Sequence, residues 1–247
     1  MKFSVSAVSD VGSIRSNNED MVLVVDQLIR DSKFETEFSM EAKNFLIAVA
    51  DGMGGHNAGE IASEFVLTEM ASFMDSIPVN LKPDELKEII LALVKDIHKK
   101  LNQMGSNQDA SRGLGTTFCG LLFYQDQIYS INIGDSRLYR FRGHVLVQLT
   151  HDHSLRNMLN DPSIPANQIA NSFGGGSEKI FIDFENLTEL VFPNDKLLLC
   201  TDGLNGELTD EELDDALEQN LECHEMVNMA KIKGGRDNIS CVLLTLT

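Results

Sequence analysis

The chain has 247 residues, 43% of them apolar, and a formal charge of −18; it can build one sizeable core, and it would repel nucleic-acid phosphates because no basic stripe interleaved with aromatics offsets that charge. No hydrophobic signal core opens the sequence and no apolar run approaches the roughly 18 to 20 residues that span a bilayer, so a soluble, unprocessed single domain over residues 1–247, without membrane insertion, is expected. Cys119, Cys200, Cys223 and Cys241 are scattered without a C-x-x-C pair, which predicts buried, reduced thiols and a cytoplasmic setting.

In chain order, Phe3 to Val8 alternates apolar and small polar residues as a strand does, and Ser9-Asp10-Val11-Gly12 ends it in a turn. Met21 to Val25 is a second apolar run. Phe45 to Ala50 is a continuous buried-type strand that stops at Asp51-Gly52-Met53-Gly54-Gly55-His56. Ala58 to Met74 carries apolar residues at helical spacing. Pro83 to Met104 predicts a second helix, with Pro83, Asp84 and Glu85 in its first turn and Gly105 at its end. From Gly115 onward the pattern becomes an antiparallel meander: Thr116 to Tyr124, Gln127 to Ile133, Ser136 to Phe141 and His144 to Leu149. A polar stretch from Thr150 to Glu178, with room for a short helix and with Gly174 to Gly176 in it, is the expected mobile surface element. Strands at Leu187 to Phe192 and Lys196 to Cys200, helices at Asp210 to Asn220 and His224 to Lys233, and a last strand from Asn238 to Leu246 complete the prediction. Strands in sets with helix pairs between and after them point to sheets covered by helices, not a parallel βαβ wind.

Asp51, Asp135 and Asp202 each end or closely follow an apolar run, and Asp237 sits just before one. Strand ends of a sheet can converge in space. Asp51-Gly52 and Asp202-Gly203 repeat one signature, a carboxylate delivered by a buried strand followed by a residue with no side chain to block close approach; the Gly52 carbonyl is then free to face a cation. Hard oxygen ligands without cysteine or histidine pairs select magnesium, manganese or calcium, and Met53 in the third loop position excludes an EF-hand. Two such ions about 4 Å apart would acidify a bridging water and clamp an in-line displacement at phosphorus. For any one Asp-Gly pair a plain turn is the simpler explanation; four strand-end aspartates in one chain favour the metal reading.

Arg15-Ser16-Asn17-Asn18-Glu19-Asp20, Asp51 to His56, Gly115-Thr116-Thr117, Gly134-Asp135-Ser136-Arg137, Thr150-His151-Asp152-His153, Asp202-Gly203 and Gly235-Arg236-Asp237-Asn238 together, and in this order, resemble the PP2C-type, or PPM, metal-dependent serine/threonine protein phosphatases, with a Gly-Met-Gly-Gly-His form that looks like the bacterial branch. The resemblance covers about residues 4 to 245. It implies an α+β, four-layer αββα sandwich of two antiparallel sheets flanked by helix pairs, with a binuclear manganese or magnesium site at one end. By matching positions, Asp51 would bridge both ions, Asp202 and Asp237 would complete the first, and the Gly52 carbonyl would ligate the second. Glu19 and Asp20 would act mainly through metal-bound waters. Arg15 would hold the substrate phosphate with its forked donors. Asp135 matches the ligand of a weaker third ion; Gly206 stands where an acidic residue often helps, so that site is expected to be weak or differently completed. Asn171 stands where bacterial relatives often have arginine, and the segment before it is short, which leaves substrate selection open.

His56 has two readings of equal weight, general acid for the leaving alkoxide or a loop histidine that positions the glycine turn. His151 and His153 are read as part of a polar turn. Ser136 lacks the glycine elbow of a nucleophile, Gly174 to Gly176 lacks the lysine of a P-loop, and Asp210 to Glu212 after Thr209 fits a capped helix start. The function expected is hydrolysis of phosphoserine and phosphothreonine by directly attacking activated water, in a monomer opposing a bacterial serine/threonine kinase and acting on phosphorylated proteins. The alternatives are a catalytically weak phosphoprotein-binding scaffold of the same fold, or a regulatory or small-phosphoester phosphatase.

Overall fold

The structure, a computed structural model, describes residues 2–39, 44–54, 58–106, 113–165 and 167–246. The first half contributes strands β1 (Lys2–Asp10), β2 (Asp20–Val24), β3 (Gln27–Ile29), β4 (Ser32–Ser39) and β5 (Phe45–Met53), then helices α1 (Ala58–Phe73) and α2 (Pro83–Ser106). The meander follows as β6 (Gly115–Thr116), β7 (Phe118–Tyr124), β8 (Gln127–Ile133), β9 (Arg137–Phe141) and β10 (Leu146–Gln148). A short helix α3 (Leu155–Leu159) precedes β11 (Phe173–Gly174), β12 (Asp183–Asn186) and β13 (Lys196–Cys200). The chain continues through α4 (Asp202–Asn205), α5 (Asp210–Glu218), α6 (Cys223–Lys233) and β14 (Ile239–Leu246).

All strand pairings are antiparallel. One sheet has the order β10-β9-β13-β14-β1-β4; in the other, β5 lies between β2 and the β6/β7 side, with β3 beyond β2, β8 and β12 beyond β7, and β11 beyond β6. Three apolar layers account for the stacking. Leu46, Ala48 and Leu122 face Val66, Met70, Ile90 and Ile97 of α1 and α2. Val5, Val49, Leu121, Leu199 and Val242 meet between the sheets, as the inward faces of a sandwich must. Leu198, Cys200 and Leu243 lie under Leu213, Leu217, Met226 and Val227 of α5 and α6. Three buried interfaces require four layers, so the αββα sandwich stands. Each fully buried Leu, Ile or Phe in them is worth about 1.5 to 3 kcal/mol of burial.

The expected helices and most strands form where the pattern put them, with physical reasons for the departures. Thr209 accepts from the Glu212 amide, and Glu212 Oε2 accepts from the Thr209 amide at 3.0 Å, so the acidic run does cap α5. The strand expected at Leu187 to Phe192 does not form. Leu187 and Val191 are buried, but Glu189 between them is exposed, so no strand face is continuous, and the amides of Leu190 and Asp195 close turns onto Leu187 and Phe192. The ladder is made instead by Asp183 to Asn186 against β8. Strand β4 was not anticipated: Lys33, Glu35 and Glu37 face solvent on this sheet edge, where charge protects unpaired backbone groups.

Candidate metal centre

Strand register does the first part of the assembly. Asp20 opens β2 directly opposite Asp51 on β5, and Gly52 lies opposite Thr116 on β6. Asp51 is held through its backbone, its carbonyl accepting from the Thr117 amide at 2.9 Å and Thr116 Oγ1 at 2.8 Å, while its own amide donates to Thr117 Oγ1 at 3.0 Å. From the other sheet, β13 delivers Thr201 and Asp202, and Asp237 stands just before β14. The sheets meet where Thr201 Oγ1 donates to Asp20 Oδ2 at 2.8 Å. Asp135 sits in the turn between β8 and β9 and is buried. Each predicted carboxylate therefore reaches the same end of the sandwich.

Their mutual fields are visible in their acidities. Burial, with Asp202 and Asp237 close by, pushes Asp20 up to about 7 against the hydrogen bond from Thr201. Burial pushes Asp51 well above the carboxylate range, and Asp20, Asp202, Asp135 and Asp237 all add to it. Burial and then Asp202 take Asp135 up to about 7; burial and Asp237 raise Asp202; burial raises Glu19. Asp202 and Asp51 lie within hydrogen-bonding reach of one another, an approach that like charges tolerate only when a proton or a cation is shared. The opposing charge comes from Arg15, whose Nη2 donates to Asp237 Oδ2 at 2.8 Å, and more distantly from Arg137, which is already forked onto Asp152 at 2.7 and 3.0 Å. Buried carboxylates in excess of cations call for metal.

The residues fit a hard divalent ion. Asp135 Oδ1 is buried with no hydrogen-bond partner among the described residues, and the donor set is carboxylate and carbonyl oxygen. No three of these carboxylates have oxygens within 4.8 Å of one another among the described residues; the grouping that does is Asp214, Asp215 and Glu218 on α5. In that triplet Asp215 and Glu218 are exposed on one helix face, where water solvates acids without an ion.

Both Asp-Gly pairs need their glycine because backbone crowds it. A Cβ on Gly52 would lie 2.1 Å from the Gly59 carbonyl oxygen and 2.4 Å from that of Glu19; on Gly203 it would lie 1.9 Å from that of Asn238. Gly206 ends α4 and offers no oxygen beyond its backbone. Ser136 is fully buried, its Oγ within 2.7 Å of Thr117 Oγ1. His56 lies outside the described residues.

Several supporting residues escaped the sequence reading. Asn238 accepts from the Glu19 amide at 2.9 Å and donates to the carbonyls of Val11 and Asn17, tying the Arg15–Glu19 loop to β14; its place in the Gly-Arg-Asp-Asn motif was the available signal. Arg30 donates to the carbonyls of Asp20 and Glu60 and to Ser63 Oγ, locking β2 to α1. His153 is buried, its Nδ1 accepting from the Gly134 amide at 3.2 Å and its Nε2 donating to Asp183 at 3.1 Å, so the expected polar-turn histidine buttresses the loop of Asp135. Asn171 is buried beside it and donates to the Phe181 carbonyl.

The family model for protein phosphatase 2C matches residues 24–241. Protein phosphatase PhpP of Streptococcus pneumoniae is 31% identical over 98% of this chain and 97% of its own length. Among solved structures, the S. agalactiae serine/threonine phosphatase superposes with a TM-score of 0.82 at 28% identity, covering 99% of this chain and 100% of that one. The catalytic domain of serine threonine protein phosphatase PstP in complex with 2 manganese ions does so with a TM-score of 0.74 at 29% identity, with 100% of each chain covered.

Proposed function

The chain belongs to the protein phosphatase 2C family and is a serine/threonine protein phosphatase, and from that premise we propose that its strand-end carboxylates hydrolyse phosphoserine and phosphothreonine by direct attack of water, without a phosphoenzyme. The observation that carries the mechanism is the convergence of Asp20 and Asp135, both buried, with the partly buried Asp51, Asp202 and Asp237 in one cluster whose charges oppose one another. Two manganese or magnesium ions bound there would acidify the attacking water and offset charge on the phosphate oxygens. Asp51 would bridge them, Asp202 and Asp237 would complete one site, the Gly52 carbonyl the other, and Asp135 would serve a third. Glu19 and Asp20 would act mainly through metal-bound waters. Arg15 orients the phosphate with the donors of its fork that Asp237 does not use. His56, as acid or as loop anchor, keeps both readings. The span 1–247 acts as one catalytic domain, as a monomer, on the products of a serine/threonine kinase; four buried, free cysteines support a reducing cytoplasm.

The test is turnover of a phosphothreonine peptide with manganese, with magnesium and with chelator, beside the Asp202→Asn variant. Metal-dependent turnover that falls at least 100-fold in the variant is expected, about 3 kcal/mol of transition-state stabilisation. A folded protein that binds the phosphopeptide but turns over none of it with either metal would instead be a scaffold.

A further inference from the structure

Outside the metal centre, the most distinctive surface of this acidic molecule is a basic cleft. The chain carries 38 acidic against 20 basic residues, yet the cleft of about 810 Å3 between α2 and the triple-glycine turn reverses the balance, with Lys95, Lys99 and Lys179 against Glu178 alone, above an apolar floor from Ile180 and Phe181. Lys95 and Lys99 are four residues apart on α2 and so share a face. None of the three lysines has an ion pair among the described residues, whereas the adjacent Lys100 is taken by Glu69 and Asp96. The cleft is also preformed. His98 Nδ1 accepts from the Gly174 amide at 3.1 Å, and Asn102 accepts from the Gly176 amide at 3.0 Å while donating to the Ser177 carbonyl at 2.8 Å, so helix and turn are stitched together.

Its position links it to the metal centre. β5, which carries Asp51 and Gly52, pairs with β6, and β6 with β11, which leads into the turn. Two ladders place β11 about 10 Å from Gly52, and the cleft opens beyond it. An extended chain covers roughly 3.3 Å per residue, so a segment about three to six residues from a phosphoresidue bound at the centre reaches the lysines.

We propose that this cleft is a docking site for an acidic segment of the phosphoprotein substrate, lying about three to six residues from the residue to be dephosphorylated. The inference rests on the phosphatase reading of the metal centre. An acidic enzyme repels acidic substrates at long range; a local patch of unpaired lysines offsets this for chains whose acidic run falls in register, and so selects among substrates. The pairs formed would be exposed and screened by salt, which puts the effect in KM and makes it sensitive to ionic strength.

The experiment compares phosphothreonine peptides with four glutamates, or four glutamines, placed three to six residues to either side. For the wild-type protein with manganese, kcat/KM is expected to be about tenfold higher for the better-placed glutamate peptide, carried by KM and lost in high salt. The triple variant Lys95→Gln/Lys99→Gln/Lys179→Gln should lose that preference and hydrolyse a small aryl phosphate unchanged. Equal kcat/KM for all peptides, or a preference that survives in the variant, overturns the proposal. Fluorescence anisotropy with the labelled, unphosphorylated glutamate peptide separates docking from catalysis. Lysine-dependent binding without turnover of any peptide upholds the cleft and overturns the phosphatase reading; turnover without such binding or preference does the reverse.

Discussion

Arg15 and Asp237 are joined through a single nitrogen at 2.8 Å, and both side chains are about half exposed. An ion pair that open to water contributes at most about 1 kcal/mol, so the guanidinium can shift toward a phosphate at little cost while still touching Asp237. The fork, not the charge alone, then matters. Arg15→Ala is expected to lower kcat/KM on a phosphopeptide roughly 10- to 100-fold at saturating manganese, the range for a lost charge-assisted pair of hydrogen bonds, and Arg15→Lys should recover only part of it. If the alanine variant kept its kinetics and lost only metal affinity by calorimetry, Arg15 would serve Asp237 and not the phosphate. At this scale the sequence exposed the carboxylates because each follows or precedes an apolar run, a pattern that a buried strand cannot avoid. It concealed Arg30, whose partners include the backbone carbonyls of Asp20 and Glu60; a carbonyl is present at every position and advertises nothing.

Among the elements, α2 does two jobs: Ile90, Val94 and Ile97 cover the sheet, and its polar edge holds the triple-glycine turn. His98 is the joint. With Nδ1 accepting from Gly174, the neutral ring carries its proton on Nε2 and donates to the Ser177 carbonyl at 3.0 Å; protonating Nδ1 would set two donors against each other. Burial lowers its pKa on folding. The unfolded chain therefore binds more protons between the two values. The His98 contribution is complete above the unfolded value near 6.5, is lost as pH falls from there through the folded value, and changes no further below it. Urea unfolding at pH 7.5 and 5.5 should show wild type losing more stability than His98→Gln over that interval, with the variant about 1 to 2 kcal/mol less stable at the higher pH. Equal losses would mean that the ring does not titrate in this range. This joint was hidden for the same reason that β4 and the turn at 187–192 were: each depends on a partner far along the chain, a glycine amide 76 residues away or a neighbouring strand. Long periodic segments such as α2 and β7 declare themselves locally.

Across the whole molecule, the two sheets converge on a negative cluster in a chain already at −18. The three apolar layers hold the strand ends together against that repulsion, which is why the carboxylates stay close and partly or fully buried, with the pKa values of Asp20, Asp51, Asp135 and Asp202 raised. A divalent ion that binds there joins residues of both sheets, so it should stabilise the entire sandwich and not one loop. At manganese a hundredfold above its dissociation constant, linkage predicts about 2.7 kcal/mol, a rise in Tm of roughly 5 to 10 °C for a chain of this size. Sodium chloride at matched ionic strength should give little of it, because buried charges are poorly screened. Asp202→Asn removes one of the opposing charges. In chelator its Tm should equal or exceed that of wild type, and the manganese increment should shrink to that of any remaining site. A variant that melted lower in chelator yet kept the full manganese shift would show that Asp202 supports the fold and leaves the ion to others.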